Sequence, residues 1–126
     1  MKAIIAKNNL SYIGKGNTML WHCKEDLQHF KMLTEGCKLL VGYRTFEALP
    51  PLKNRELTID DRILNRHHGI DWCIGGKKTY EKYAQYFTEL HISHIDNNDI
   101  GDVMFPDLTN LNPNCKIFNY YFKTNK

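Results

Sequence analysis

The sequence has no long hydrophobic run and no leader-like start, and these absences exclude two classes of protein. A membrane-spanning helix needs about 20 consecutive apolar residues, and no stretch of this chain approaches that length. The opening segment MKAIIAKNN is too short in its apolar part to be a signal peptide. We therefore expect a soluble, cytoplasmic protein with no membrane partner.

Paired cysteines and concentrated charge are also missing. The four cysteines contain no C-x-x-C motif, so neither a zinc knuckle nor a dithiol redox site is indicated, and we expect reduced thiols. The adjacent His67 and His68 have no third ligand marked in the sequence, so no metal site is predicted. The net charge of +3 is spread along the chain, which does not favour nucleic acid as a partner.

What is present is the composition of an ordinary globular protein. Hydrophobic residues make up 42% and charged residues 25% of the 126 positions, which argues against a disordered or fibrous chain. A chain of this length forms one domain with a sizeable core. We predict a single domain over residues 1–126.

Strands alternate with helices along the chain. Apolar runs predict strands over residues 3–6, 38–42, 57–59, 70–74, 90–95 and 116–122. Helical spacing predicts helices from Lys24 to Gly36, over residues 45–49, and through Tyr80, Tyr83 and Phe87. This alternation predicts a mainly parallel sheet covered on both faces. Ligands of such sheets bind at the carboxyl ends of the strands, here just after Ala6, Gly42, Ile74 and Ile95.

Asp26 lies in the first turn of its predicted helix, near Trp21, Leu27 and Phe30. One interpretation is a solvated acid that the helix dipole favours. The other is a carboxylate between aromatic walls, where desolvation raises its pKa and its two oxygens can bind an amidine-like edge. Spacing alone leaves both interpretations open.

Two strand-to-helix turns are suited to phosphate groups. Backbone N–H groups of Gly42 to Thr45 could hold one phosphate and Arg44 a second, while Gly75 and Gly76 allow close backbone approach. Each turn by itself is also compatible with a simple connection, since neither contains the G-x-G-x-x-G fingerprint. Arg55 is either a surface arginine or the ligand of a carboxylate.

Seven groups of residues carry a specific resemblance, and they occur in the order Ile13-Gly14, Asn17 to Trp21, Asp26-Leu27 with Phe30-Lys31, Val41-Gly42 with Thr45-Phe46-Glu47, Ile74-Gly75-Gly76 with Thr79-Tyr80-Glu81, Ser93-His94-Ile95-Asp96, and Gly101-Asp102 with Phe105-Pro106-Asp107. Together they resemble the dihydrofolate reductase family from end to end of the chain. The resemblance implies a three-layer α/β/α fold with a mainly parallel central sheet and an antiparallel C-terminal strand. The chain is short for the family between Arg62 and Asp71 and again after Asp107, which implies a reduced adenosine-binding region.

The resemblance further implies reduction of 7,8-dihydrofolate to 5,6,7,8-tetrahydrofolate by hydride transfer from NADPH. Asp26 would bind the pterin and promote protonation of N5, with Trp21 and Ser93 as the other catalytic positions. The implied substrate-binding residues are Ile4, Ala6, Leu27, Phe30, Leu49, Arg55, Ile74 and Tyr80, with Arg55 binding the glutamate tail.

The implied cofactor-binding residues are Ala6, Ile13, Asn17, Met19, Gly42, Arg44, Thr45, Asp60, Arg62, Ile74, Gly75, Gly76, Lys77, Thr79 and Tyr80. The resemblance also implies a cis peptide bond between Gly75 and Gly76. Asp60 and Asp61 stand where the family usually has hydroxyl residues for the cofactor 2′-phosphate, and an acid there repels phosphate but could accept a hydrogen bond from a ribose hydroxyl. NADPH is therefore expected, and NADH use is an alternative.

Two other functions remain open at this point. The chain could be a folate-binding or structural protein that keeps the fold with little turnover, or a related pterin or pyrimidine reductase. The expected subunit state is a monomer or a homo-oligomer that covers an exposed sheet edge.

Overall fold

The computed structural model describes residues 1–16, 20–60 and 68–124. Its strands are β1 (Lys2–Asn8), β2 (Tyr12–Gly14), β3 (Lys38–Gly42), β4 (Glu56–Asp60), β5 (Trp72–Cys73), β6 (Glu89–Asp96), β7 (Val103–Met104) and β8 (Lys116–Lys123). Its helices are α1 (Lys24–Thr34), α2 (Tyr43–Ala48) and α3 (Lys77–Tyr83), the last continued by a 3₁₀ turn at Ala84–Tyr86.

Six strands form one sheet in the order β4-β3-β5-β1-β6-β8, and every pair within it is parallel. Strands β2 and β7 form a separate antiparallel pair. The carboxyl ends of the parallel strands lie at one edge of the sheet, where α2 begins after β3 and α3 after β5. The predicted mainly parallel sheet is confirmed.

The local patterns place most elements correctly. Strand β3 covers the predicted residues 38–42, and α1 ends shortly before Gly36, whose φ of +71° lies in the left-handed region that favours glycine. Strand β5 is shorter than the predicted 70–74, but Asp71 and Ile74 extend its pairing by donating to Lys38 O and Leu40 O at 2.9 Å. The short pair β2 and β7 was not predicted, because neither strand is long enough to show an alternating pattern.

Helices cover both faces of the sheet. Tyr83 of α3 packs in one apolar core cluster with Leu40, whereas Phe30 of α1 packs against another that contains Leu39. Because successive residues of a strand point to opposite faces, the two helices lie on opposite sides of β3. This confirms the predicted three-layer α/β/α arrangement.

The prediction of an antiparallel C-terminal strand was wrong, since β8 pairs with β6 in parallel along its whole length. The reason is the path of residues 105–115, which return along α3 to the amino end of β6. On the way the Asp107 N–H donates to Glu81 Oε2 at 2.7 Å and the Asn112 N–H to Ala84 O at 3.2 Å. Strand β8 therefore begins beside the start of β6 and runs in the same direction.

Strand β8 is the outermost strand of the sheet and is poorly covered. Ile117 is 53% and Tyr121 76% exposed.

The cysteines are free thiols, as expected, and burial raises the pKa of the Cys73 thiol to about 12, so this thiol is chemically inert. Within the described ranges, none of the helices is long and apolar enough to cross a membrane.

Candidate active site

Asp26 stands at the edge of the sheet in the first turn of α1. The Leu27 N–H donates to Cys23 O at 3.1 Å, which starts the helix, and the acids Glu25 and Asp26 occupy the turn where the helix dipole favours negative charge. Glu25 is exposed, whereas Asp26 is partly buried. The helix thus turns one of its two acids towards the sheet.

The environment of Asp26 matches the second of the two interpretations. Burial raises the pKa of the Asp26 carboxyl, and the neighbouring Ser93 hydroxyl and His29 imidazole, which favour the ionised form, offset this only in part. A first-turn acid in open solvent would have no desolvation of this kind. Asp26 is therefore a carboxylate in an apolar setting, able to bind a cationic or N–H-rich group.

Two buried polar side chains lie beside this carboxylate. The Ser93 hydroxyl and the His29 imidazole both act on the Asp26 carboxyl. Across the described residues, Trp21 Nε1, His29 Nε2 and Ser93 Oγ are buried and have no partner in hydrogen-bonding geometry. Ser93 lies on β6 opposite Ala6 of β1, and Trp21 packs in the same small cluster as Ala6. Buried polar groups are normally paired, so these unpartnered atoms indicate a binding site for a polar ligand.

Four of the apolar residues predicted for the substrate pack together. Ile4 and Ile74 belong to one buried cluster, and Phe30 and Leu49 pack against it. Leu27 points outwards with 44% of its surface exposed. Tyr80 was also predicted to bind substrate, but its hydroxyl already has a partner in the protein. It donates to Ile4 O at 2.6 Å, which links α3 to β1.

Arg55 is engaged by the protein itself. Its side chain is 5% exposed, and its Nε donates to Thr34 Oγ1 at 3.0 Å. Its two terminal nitrogens donate to Lys53 O and Lys31 O, and one of them forms an ion pair with Glu35 at 3.3 Å. All three nitrogens thus have protein acceptors, so the structure shows Arg55 fastening the end of α1 and does not show the predicted free cation for a carboxylate tail.

The predicted phosphate turns meet at the carboxyl ends of β3 and β5. The Gly42 N–H donates to Gly75 O at 2.5 Å, and the peptide bond between Gly75 and Gly76 is cis, as predicted. A Cβ built on Gly76 would lie 2.7 Å from Thr45 Oγ1, and one on Gly42 would lie 2.7 Å from Thr79 Oγ1. The starts of α2 and α3 therefore approach each other through glycine backbones that a side chain would block.

These two helix starts have no side-chain caps, since neither Gly42 nor Gly76 can supply one. The first N–H groups of a helix have no acceptor within that helix and suit an anion, and the hydroxyls of Thr45 and Thr79 lie beside these two helix starts. Lys77 adds a cation at the start of α3. This is a cradle for the pyrophosphate of a dinucleotide, and the residues present fit such a cofactor.

The other residues predicted to bind the cofactor lie in different kinds of surroundings. Asp60 is buried, and its Oδ1 accepts from Lys82 Nζ at 3.0 Å and from Tyr83 OH at 2.9 Å. This carboxylate therefore serves the packing of α3, which contradicts its predicted role as an acceptor for a ribose hydroxyl. Arg44 is exposed on α2, and Ile13 packs against the core on the α3 side of the sheet. The predicted residues Asn17, Met19 and Arg62, together with Asp61, lie outside the described residues.

Sequence reasoning missed two residues near the site. Asp102 Oδ1 accepts from the Gly16 N–H at 2.7 Å, while the Asp102 N–H donates to Gly14 O at 3.1 Å, so Asp102 holds the segment that follows β2. His29, to which the sequence pattern assigned no role, lies beside Asp26. The signal for His29 was its position three residues after the acid on the same helix.

Comparisons with known proteins agree with this geometry. The sequence matches the family model described as dihydrofolate reductase over residues 1–68. It is 32% identical over 129 residues to dihydrofolate reductase type 3 of Salmonella typhimurium, covering 86% of this chain and 78% of that protein. It is 30% identical over 124 residues to the dihydrofolate reductase of Haemophilus influenzae, covering 83% of this chain and 78% of that protein.

A solved structure has the same fold. The dihydrofolate reductase from Enterococcus faecalis, complexed with NADP(H) and RAB-propyl, superposes with a TM-score of 0.74 at 24% identity. The match covers 86% of this chain and 77% of that one. At this level of identity the likeness concerns the fold.

Proposed function

This chain belongs to the dihydrofolate reductase family, and we propose on that basis that it reduces 7,8-dihydrofolate to 5,6,7,8-tetrahydrofolate with NADPH. The observation that carries the proposal is the partly buried Asp26 carboxylate, which lies beside Ser93 and His29, two residues whose buried Oγ and Nε2 atoms have no hydrogen-bond partner among the described residues. A site of this kind is built for a flat, apolar ligand with one polar edge.

Asp26 binds the pterin in this proposal. Its two oxygens accept N–H groups from the 2-amino group and the adjacent ring nitrogen, an arrangement that fixes the ring plane as well as its position. Burial, which raises the pKa of Asp26, brings the acid closer to the range in which a carboxyl group can exchange protons with a substrate. Asp26 thereby promotes protonation of N5 as C6 is reduced.

The residues around Asp26 orient it and exclude water. Ser93 lies on β6, and its buried hydroxyl acts on the Asp26 carboxylate and favours its ionised form. Trp21, Ile4 and Ile74 are buried apolar neighbours of the site that keep bulk water from the reacting carbon. These side chains orient Asp26 and exclude water, and Asp26 itself takes part in the proton chemistry.

NADPH supplies the hydride when it is bound. The N–H groups at the starts of α2 and α3 would hold its pyrophosphate, with the Thr45 and Thr79 hydroxyls beside them. Arg44 is an exposed cation at the start of α2 and would contact the 2′-phosphate. Use of NADH, a cytoplasmic location, and the choice between monomer and homo-oligomer stay predictions; the exposed strand β8 supports the homo-oligomer.

The test is the loss of NADPH absorbance with 7,8-dihydrofolate, measured for the wild type, Asp26→Asn and Glu25→Gln. We expect Asp26→Asn to lower the rate by about 10²- to 10⁴-fold, the usual contribution of a positioned acid–base group. Glu25→Gln removes the exposed neighbouring acid and should keep wild-type activity. Calorimetric binding of dihydrofolate without turnover by the wild type would reject the enzyme and favour a folate-binding protein.

A further inference from the structure

His29 has a fixed position beside Asp26. It follows the acid by three residues on α1, so both side chains lie on the same face of the helix. The His29 ring packs against Tyr120 of β8, with ring centroids 4.2 Å apart, and against Phe122 at 5.6 Å. Two aromatic neighbours on a strand therefore hold the imidazole where it faces the acid.

The packing leaves one nitrogen of His29 unused. Its Nε2 is buried and has no hydrogen-bond partner within residues 1–16, 20–60 and 68–124. Tyr120, on which the ring packs, is the register partner of Ser93, the residue whose hydroxyl also faces Asp26. The acid thus has an imidazole on its own helix and a hydroxyl on the sheet, and both keep a buried polar atom free.

We propose that His29 is a positioning residue that acts through Asp26, keeping the carboxylate ionised at acidic pH so that it can bind the substrate. The proposal rests on the proposed reduction of dihydrofolate and adds a second titrating group to its site. A substrate that donates N–H groups needs an ionised acid, so His29 sets the acidic limit of substrate binding.

The electrostatics of the pair support this role. Burial lowers the pKa of His29, the Asp26 carboxylate raises it, and His91 lowers it. Burial raises the pKa of Asp26, and Ser93 and His29 lower it. The net result is a lowered pKa for His29 and a raised pKa for Asp26, and an imidazolium beside the carboxylate stabilises its ionised form.

The other titratable groups near the pair have their own partners or are neutral. His91 on β6 contacts Tyr120 OH at 2.9 Å through Nδ1 and Glu89 Oε1 at 2.8 Å through Nε2. From α3, the Tyr80 hydroxyl donates to Ile4 O, and burial raises its pKa well above 10, so it stays neutral. Burial also raises the pKa of the Cys23 thiol at the start of α1. Among these groups, His29 is the one whose positive charge lowers the pKa of Asp26.

A direct test follows Asp26 in the full-length protein by ¹³C-carboxyl NMR, with the resonance assigned by its loss in Asp26→Asn. We expect the titration midpoint of Asp26 to move to higher pH in His29→Gln and in His29→Phe, which keeps a ring against Tyr120. His29→Lys restores a cation and should return the midpoint towards wild type or below. An unchanged midpoint in either folded variant that lacks the imidazole would overturn the proposal.

The matched control is His94→Gln. His94 follows Ser93 on β6, stacks on Tyr121 at 4.8 Å and contacts Asn119 Oδ1 at 2.8 Å. It neighbours Ser93 on the strand but points to the other face of the sheet. Its replacement should leave the Asp26 midpoint unchanged; an equal movement of the midpoint in His94→Gln would show a general charge effect and would also overturn the proposal.

Kinetics separate this inference from the proposed function. At pH 5 we expect kcat/KM for dihydrofolate in His29→Gln to fall about three- to tenfold below wild type, with less than about a twofold difference at pH 8. Wild-type turnover with identical pH profiles in the variant would reject the role of His29 alone. A wild-type protein with no turnover, whose Asp26 midpoint still responds to His29, would reject the proposed reaction while keeping the coupled pair.

Discussion

Asp26 and Asp60 are two carboxylates that are shielded from solvent, but the side chains around them differ. Asp60 is the partner of Lys82 at 3.0 Å and of the Tyr83 hydroxyl at 2.9 Å. Asp26 lies beside Ser93 and His29, whose buried Oγ and Nε2 atoms have no hydrogen-bond partner within the described chain, and burial raises the pKa of Asp26.

The difference distinguishes a carboxylate that stabilises the fold from one that is placed to bind a ligand. A buried acid with a cation and a hydroxyl is satisfied and stabilises the packing of α3 against the sheet. An acid left without such partners lowers stability in exchange for a strong interaction with whatever binds there. The pterin side of the site is built from such unsatisfied side chains, whereas the cofactor side offers mainly backbone N–H groups.

The largest effect expected on the cofactor side therefore comes from backbone geometry, at Gly75. Its φ is +112°, and a Cβ there would lie 3.0 Å from the buried ring of Tyr80. Gly75→Ala should displace the helix starts that hold the pyrophosphate and lower kcat/KM for NADPH by about 10²-fold. Steady-state kinetics with varied NADPH measures this.

Gly36→Ala is the matched control, because Gly36 has a φ of +71° but nothing within 4 Å of an added Cβ. It should destabilise the fold by about 1 kcal/mol, as a left-handed alanine does, and keep the affinity for NADPH. If Gly75→Ala binds NADPH as tightly as Gly36→Ala, the backbone cradle does not hold the cofactor.

A smaller effect is expected at Arg44, an exposed side chain on the same side of the site. Removing one exposed cation from a phosphate contact costs about 1 kcal/mol, so Arg44→Ala should raise KM for NADPH about fivefold. KM for NADH, which lacks the 2′-phosphate, should stay the same. Parallel titrations with both cofactors decide this, and an equal rise for both would place Arg44 away from the 2′-phosphate.

Much of this fold is readable from local sequence patterns. The strands at residues 38–42 and 90–95, the helix that carries Asp26, and the cis peptide between Gly75 and Gly76 all follow from apolar spacing, glycine positions or family resemblance. The direction of β8 was missed, because an apolar strand pattern is the same read in either direction and the deciding contacts of residues 105–115 are with α3.

Partners that are distant in sequence explain the remaining errors at the site. Asp60 and Lys82 are 22 positions apart, and Arg55 reaches Thr34 across 21 positions. No local pattern marks such pairs. Both residues were therefore assigned to ligands, whereas their side chains contact other parts of the protein. Spacing left two interpretations of Asp26 open, and the family resemblance is what favoured a ligand-binding acid.

The raised pKa of Asp26 makes the stability of the folded protein depend on pH. Because burial raises the pKa of Asp26 in the folded state, the folded protein holds this proton more tightly than the unfolded chain does. The stability that this group contributes is present below the ordinary aspartate pKa and is lost as the pH rises through the folded-state pKa. At neutral pH the ionised carboxylate destabilises the fold.

The most direct measurement compares thermal unfolding of the wild type, Asp26→Asn and Asp60→Asn at pH 7. We predict that Asp26→Asn raises Tm, because it removes a desolvated charge, and that the gain shrinks as the pH falls through the raised pKa of Asp26. Asp60→Asn should lower stability by about 2 kcal/mol, since it breaks the contacts with Lys82 and Tyr83. A fall in Tm for both variants would contradict the account, because it would make Asp26 a structural acid like Asp60.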